Sequence, residues 1–208
     1  MSLKMKLNKY QIQVMNGLML GDGHIHKSKT CKYPLYTQTF GQHGELFAKD
    51  VFKIFNDFCT PKGLYTYKVQ SGKDSPFYQR FIVRTKTLKI FEKFYNMYYK
   101  LNDENKKIKI LPSNIKSILT PIALAYFVMS DGNYHKTHKI IRLCTNNFTK
   151  EEVNLLSLTL LNKYNFNCRL EHVRKEQYIL IIRNVQVTKF QQIVKSYMLP
   201  SMLYKIGL

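Results

Sequence analysis

Two aspartates, Asp22 and Asp131, each stand before a glycine at the end of a short apolar run, in MNGLMLGDG and in LAYFVMSDG. Both runs read as short buried helices with one carboxylate in the last turn. The carbonyl end of a helix carries roughly half a negative charge, so an acid there is repelled by its own helix unless a cation accompanies it. Two such helices side by side would gather two carboxylates and two negative dipole ends, a spot that invites a divalent metal. Chemistry on phosphates is the natural use of such a spot.

The helices that must hold these acids have legible edges. Asn8 followed by Gln11 resembles a capping box for the first, and Thr120-Pro121 gives the second a cap and a first-turn proline. Gly23 and Gly132 suit the left-handed residue that closes a helix. Gly17 and Gly21 share a face of the first helix and leave it bare for another backbone. Around these helices the chain reads as one unit written twice. In the first half a strand region at 36–40 precedes an amphipathic stretch at 45–58, strand-like runs at 64–70 and 77–84 and a helical run at 88–99. The second half repeats that order at 139–145, 150–163, 167–174, 176–183 and 187–198. FIVR (81–84) is echoed by LIIR (180–183), and Leu111-Pro112-Ser113 by Leu199-Pro200-Ser201, as an internal duplication would leave them. The expected division is a repeat at 1–100, a polar linker at 101–118 and a repeat at 119–208.

Composition narrows the partner. In 208 residues, 45% hydrophobic, there is ample material for a core, while 33 Lys and Arg against 13 Asp and Glu leave a net charge of +20. A polyanion neutralises such an excess, with nucleic acid ahead of an anionic membrane surface. The basic residues are spread along the chain, which suits a long charged face. The apolar stretch at 119–129 falls short of the ~20 residues of a membrane span. The lysine-rich opening at 1–10 does not read as a secretory signal. Cys31, Cys59, Cys144 and Cys168 stand far apart, against a zinc knuckle or disulfide framework and in keeping with a reducing compartment.

The two Asp-Gly motifs, the repeat order, the Leu119-Thr120-Pro121 before the second motif and the closing Met202-Leu203-Tyr204-Lys205 resemble the LAGLIDADG homing endonucleases, in their monomeric, tandem-repeat form. The resemblance covers essentially the whole chain and is nearest to yeast mitochondrial intron-encoded members. It implies an α+β fold of two pseudo-symmetric αββαββα repeats. Each repeat would carry a curved antiparallel sheet, the two forming a DNA-binding saddle, with the motif helices packed at the centre. It also implies an enzyme that hydrolyses phosphodiester bonds across the minor groove of a long asymmetric site, leaving short 3′ overhangs. A monomer of organellar origin, mitochondrial or other, would act on double-stranded DNA with no obligate protein partner and no membrane. An RNA maturase on the same scaffold is the alternative. This chain departs from the family pattern at Leu20 and Met129, where the penultimate acidic-type positions fall, and at Tyr126, which matches Gly17.

By motif position, Asp22 and Asp131 would bind metal beside the two scissile phosphates, helped by the carbonyls of Gly21 and Ser130. Magnesium suits this role because it keeps several waters and needs few carboxylates, and manganese or calcium can replace it in binding. Lys109 and Lys205 correspond to the lysines that would stabilise charge at each cut, although general phosphate contact is the commoner role for a lysine here. His24 with His26, and His135 with His138, have spacing that can bind zinc but lack a third ligand. Tyr65, Tyr67 and Tyr78 could stack on bases or be half-buried packing. Alternation along the strands gives candidate groove-facing residues. In the first half these are Lys32, Tyr36, Gln38, Lys68, Gln70, Gln79 and Arg84. In the second they are His138, Arg142, Asn146, Arg169, Arg174, Gln177 and Arg183.

Overall fold

The computed structural model describes residues 5–70, 72 and 75–208, so the first four residues of the lysine-rich opening lie outside it. Helix α1 (Lys9–Leu20) begins as its sequence requires. Asn8 Oδ1 accepts the Gln11 amide at 2.8 Å while Gln11 Oε1 accepts the Asn8 amide at 2.9 Å, a reciprocal box that satisfies two end donors. The chain continues through β1 (His24–His26), β2 (Leu35–Phe40), α2 (Glu45–Phe55), β3 (Cys59–Gln70), β4 (Phe77–Thr85) and α3 (Glu92–Tyr98). A hairpin of β5 (Tyr99–Leu101) and β6 (Lys107–Lys109) and the single turn α4 (Ile115–Ile118) follow. The segment expected to be a linker therefore carries structure of its own. Then come α5 (Pro121–Asp131), β7 (Gly132–His135), β8 (Ile140–Cys144), α6 (Lys150–Tyr164), β9 (Arg169–Arg174), β10 (Gln177–Ile182) and α7 (Val185–Val194). A 3₁₀ segment, Pro200–Ile206, closes the order. The αββαββα order occurs twice, with two four-stranded antiparallel sheets, β1-β2-β4-β3 and β7-β8-β10-β9.

The chain forms two units. The first holds the residues up to Gln11 with Asp22–Tyr95, and the second holds Ile12–Gly21 with Asn96–Leu208. This differs from a simple cut in mid-chain, because the body of α1 packs within the second unit. Gly17 makes that possible: a Cβ there would lie 2.7 Å from Cβ of Tyr126 and closer still to the Ala123 carbonyl oxygen on α5. Tyr98, fully buried, donates its hydroxyl to the Asn16 carbonyl at 3.3 Å and ties the same helix down.

In the first unit one sheet face is the core. Ile25, Tyr36, Phe40, Phe81 and Val83 are buried there, with Phe47 of α2 meeting Phe40 edge-on at 5.2 Å and Phe55 lying 5.9 Å from Tyr36. In the second unit Ile141, Leu143, Leu180 and Ile182 bury the matching face, together with Val153, Leu156 and Leu160 of α6. Helix α6 starts on a complete capping box between Thr149 and Glu152 and stops at Asn165 in the left-handed region.

The motif glycines do not close their helices through a left-handed turn. Gly132 is extended at φ −112°, and among the described residues Gly207 is the glycine with positive φ. Gly132 is needed for room: it pairs with Leu143 as the first residue of β7, and a Cβ would sit 2.8 Å from the Val128 carbonyl oxygen. None of the four cysteines forms a disulfide. Among the described residues no helix is long and apolar enough to cross a membrane.

Candidate functional site

Helix α5 ends on Asp131, which is half-buried, and α1 ends one residue before Gly21. Gly21 backs onto that end of α5. A Cβ at position 21 would meet Ser130 Oγ at 2.6 Å and Asp131 Cβ at 3.3 Å, so only a glycine lets the two helix ends approach this closely. Asp22, exposed, follows Gly21 directly in the chain and opens the longer segment of the first unit. Within that unit its carboxylate is felt by Tyr36, whose hydroxyl pKa lies well above the usual value, first because of burial, then because of Asp22 and Cys59.

The two lysines expected from the resemblance reach the helix ends. Lys109 Nζ donates to the Gly21 carbonyl at 2.6 Å, and Lys205 Nζ donates to the Ser130 carbonyl at 3.3 Å. Each oxygen is the carbonyl immediately before a motif aspartate. A cation on the carbonyl end of a helix is the arrangement the dipole favours, and it answers the repulsion that the sequence poses for an acid in that place. The contacts also show that both carbonyls are turned to accept a positive charge. Carboxylate and carbonyl oxygens form a hard donor set that fits magnesium, which takes one or two carboxylates and retains water. The histidine pairs offer no such set. The His24 and His26 rings lie 6.3 Å apart and those of His135 and His138 stack at 4.7 Å, and among the described residues no three His, Cys, Asp or Glu side chains gather as ligands.

Each sheet has a second face, opposite its core. On the first-unit sheet, Thr37 pairs with Arg84, Thr39 with Ile82, and Tyr67 with Arg80, so these share the open face with Tyr65 and Tyr78. Tyr65 and Tyr67 are about two-fifths exposed, as base-stacking rings would need to be. Arg80 donates to the Tyr78 hydroxyl at 3.2 Å and sits 5.4 Å from that ring, and its hydrogen bonds to Tyr78 and then Tyr67 raise its pKa above the ordinary arginine value.

Several expected groove-facing residues lie elsewhere. Tyr36 and Gln38 are buried at 0% and 3% exposure, bonded to each other through the Tyr36 hydroxyl at 2.5 Å, because they alternate with Thr37 and Thr39 and so fall on the core side. Lys68 pairs with Gln79 and Gln70 with Phe77 on that same side, at the exposed tip of the β3–β4 ribbon. Arg84 is on the open face. Arg80 is the residue that sequence reasoning missed. Gln79 and Arg84 are five positions apart and cannot share a face of one strand, so counting back from Arg84 in twos would have found Arg80.

In the second unit the face opposite the core carries the row Asn133, Arg142, Ile181, Arg169 and beside it Cys144, Ile179, Glu171, with Ile179 and Ile181 buried and the two arginines and Glu171 at least partly exposed. Arg142 Nε is buried with no hydrogen-bond partner. A bulge at Gln177/Tyr178 pairs Arg174 with Gln177, whose side chains meet at 2.8 Å. Arg183 is exposed one residue beyond β10. Lys32, His138 and Asn146 are exposed in loops next to the strands.

Comparison with known proteins gives concordant results. The model of the LAGLIDADG DNA endonuclease family matches residues 12–190. The chain is 31% identical over 206 residues to the cytochrome b mRNA maturase bI2 of Saccharomyces cerevisiae, a match that spans 97% of this chain but only about half, 48%, of that protein. It is 34% identical over 164 residues to the intron-encoded endonuclease ai4 of Dictyostelium discoideum, covering 76% of this chain and 99% of the relative. Among solved structures, the homing endonuclease I-WcaI bound to its DNA recognition sequence superposes with a TM-score of 0.85 at 25% identity, over 97% of this chain and 88% of that one.

Proposed function

From a chain that belongs to the LAGLIDADG DNA endonuclease family, we propose a monomeric, divalent-metal-dependent enzyme that cuts both strands of a long, asymmetric double-stranded DNA site. One observation carries the reading. Each motif aspartate follows a helix-end carbonyl that accepts a lysine ammonium, and this unit of acid, carbonyl and cation occurs twice. Asp22 with the Gly21 carbonyl, and Asp131 with the Ser130 carbonyl, would hold magnesium. When bound, the metal supplies an acidified water and shields the phosphate charge. Lys109 and Lys205 hold the carbonyls in place and offer positive charge to the phosphate being cut. The open sheet faces supply the long contact, with Arg80 and Arg84 in one unit and Arg142 and Arg169 in the other. Since the two faces share a frame but not side chains, the site they select is asymmetric. The I-WcaI complex supports DNA as ligand, and the cytochrome b mRNA in the name of the yeast relative supports a mitochondrial or similar origin.

The maturase name of the yeast relative favours a second reading, an RNA-binding splicing factor on the same frame. Two acids facing a polyanion have no use in a pure binder, which places the nuclease first. Incubating the protein with magnesium and a randomised duplex library, then sequencing the cut ends, tests this. A single site cut on both strands is expected. Intact duplexes together with tight binding to a structured intron RNA would reverse the order.

A further inference from the structure

The charged side chains on the sheet faces opposite the cores are arginines, with one exception. Among the described residues Glu171 is the acidic side chain on either open face, in a chain with 13 Asp and Glu in all. It lies on β9, the edge strand of the second-unit sheet, opposite Ile179, which in turn pairs with Cys144. Arg169 is two residues away on the same strand and therefore on the same face. Among the described residues no ion pair joins Glu171 to Arg169. Its row neighbours, Ile179 and Cys144, are apolar or weakly polar and bring no charge. A half-buried carboxylate without a cation, on a surface built to face phosphates, raises the cost of binding every duplex.

That cost is recovered if the carboxylate meets a hydrogen-bond donor on the DNA. In the major groove the exocyclic amino groups of cytosine and adenine are donors. Adenine also sets an acceptor, N7, beside its amino group, which an acid with no proton to give would meet unfavourably. Cytosine N4 is the donor that Asp and Glu pair with. We infer that Glu171 reads a cytosine at one position of the half-site covered by the second unit, and that it does so at the expense of overall affinity. The inference rests on the reading of the open faces as the DNA surface. It assigns to one residue the role of rejecting wrong sequences, since guanine or thymine there offers the carboxylate no major-groove donor and adenine offers one only beside its N7 acceptor.

The sign of the effect makes the idea testable. The full chain and its Glu171→Ala and Glu171→Gln variants would each be taken through site selection from a randomised duplex library. Binding to the selected duplex and to an unrelated duplex would then be measured in calcium at several salt concentrations. Glu171→Ala should erase a cytosine preference at one position, by roughly tenfold or more. Both variants should bind the unrelated duplex more tightly than the parent, since each removes the unneutralised charge. Three results would overturn the proposal. The lost preference could fall on a guanine, which would make Glu171 a positioning residue for Arg169. Binding could weaken on all duplexes alike, or the variants could select the parent's sequence unchanged. If the parent protein itself selects no sequence, the DNA reading of the faces fails first. A parent that selects a site while the variants match it sinks the Glu171 assignment alone. Melting temperatures close to the parent's show that the variants fold.

Discussion

Asp22 is exposed and Asp131 half-buried, and each stands at the end of a motif helix. Asp22→Asn and Asp131→Asn should each abolish double-strand cutting and leave site binding intact or tighter, as gel assays of cutting and of calcium-supported binding would show. Near-parent cutting by either variant would refute the metal assignment. Lys109→Met removes the closer of the two carbonyl contacts, 2.6 Å against 3.3 Å for Lys205. Supporting contacts of this kind are worth about 10–100-fold in activity. Single-turnover nicking of each strand should show Lys109→Met slowing one strand within that range and Lys205→Met the other. These residues were legible in the sequence because a motif fixes their place. The lysine contacts were not, since which atom a flexible lysine reaches depends on the fold. Residue type misled at Tyr36 and Gln38, where polar tips suggested a groove but mutual hydrogen bonding lets both sit in the core.

At the scale of elements, the order of helices and strands along the chain and the repeat were legible, and the facing was not. Alternation gives two faces without saying which is buried, and one step of register exchanges them. The FIVR and LIIR echo resolves this. Phe81 and Leu180 are buried, Val83 and Ile182 are buried, and the arginines at 84 and 183 are exposed. Arg84→Ala and Arg183→Ala should therefore each change base preference at one position, in different half-sites. A uniform loss across all sequences would make them phosphate contacts. The helix pairing gives a second test. Gly17→Val places a branched side chain against the Ala123 carbonyl and Tyr126, and overpacking of this kind costs about 1–3 kcal/mol. Thermal melting should show a loss of several degrees, and no loss would mean that α1 and α5 are not in close contact.

For the whole molecule, charge sets how the protein holds DNA. With a net charge of +20, phosphate neutralisation should dominate affinity, and each neutralised phosphate contributes about 0.9 to the slope of log K against log salt. Binding measured between low and physiological salt should fall steeply, while sedimentation should find one chain per duplex in the active complex. A required second chain would contradict the duplication as the source of both motif helices. The duplication was plain in the sequence; what the sequence did not show is that α1 belongs, from Ile12 onward, with residues beyond Asn96. That arrangement governs how the protein is made. During synthesis the helix preceding the first acid emerges early, yet α5, the surface that Gly17 fits, follows on the order of a hundred residues later, a long loop to close. The amino-terminal half thus cannot complete itself while it waits. The pairing of α1 with α5 can form only once α5 has left the ribosome, so a chain released before that point lacks the surface that Gly17 fits.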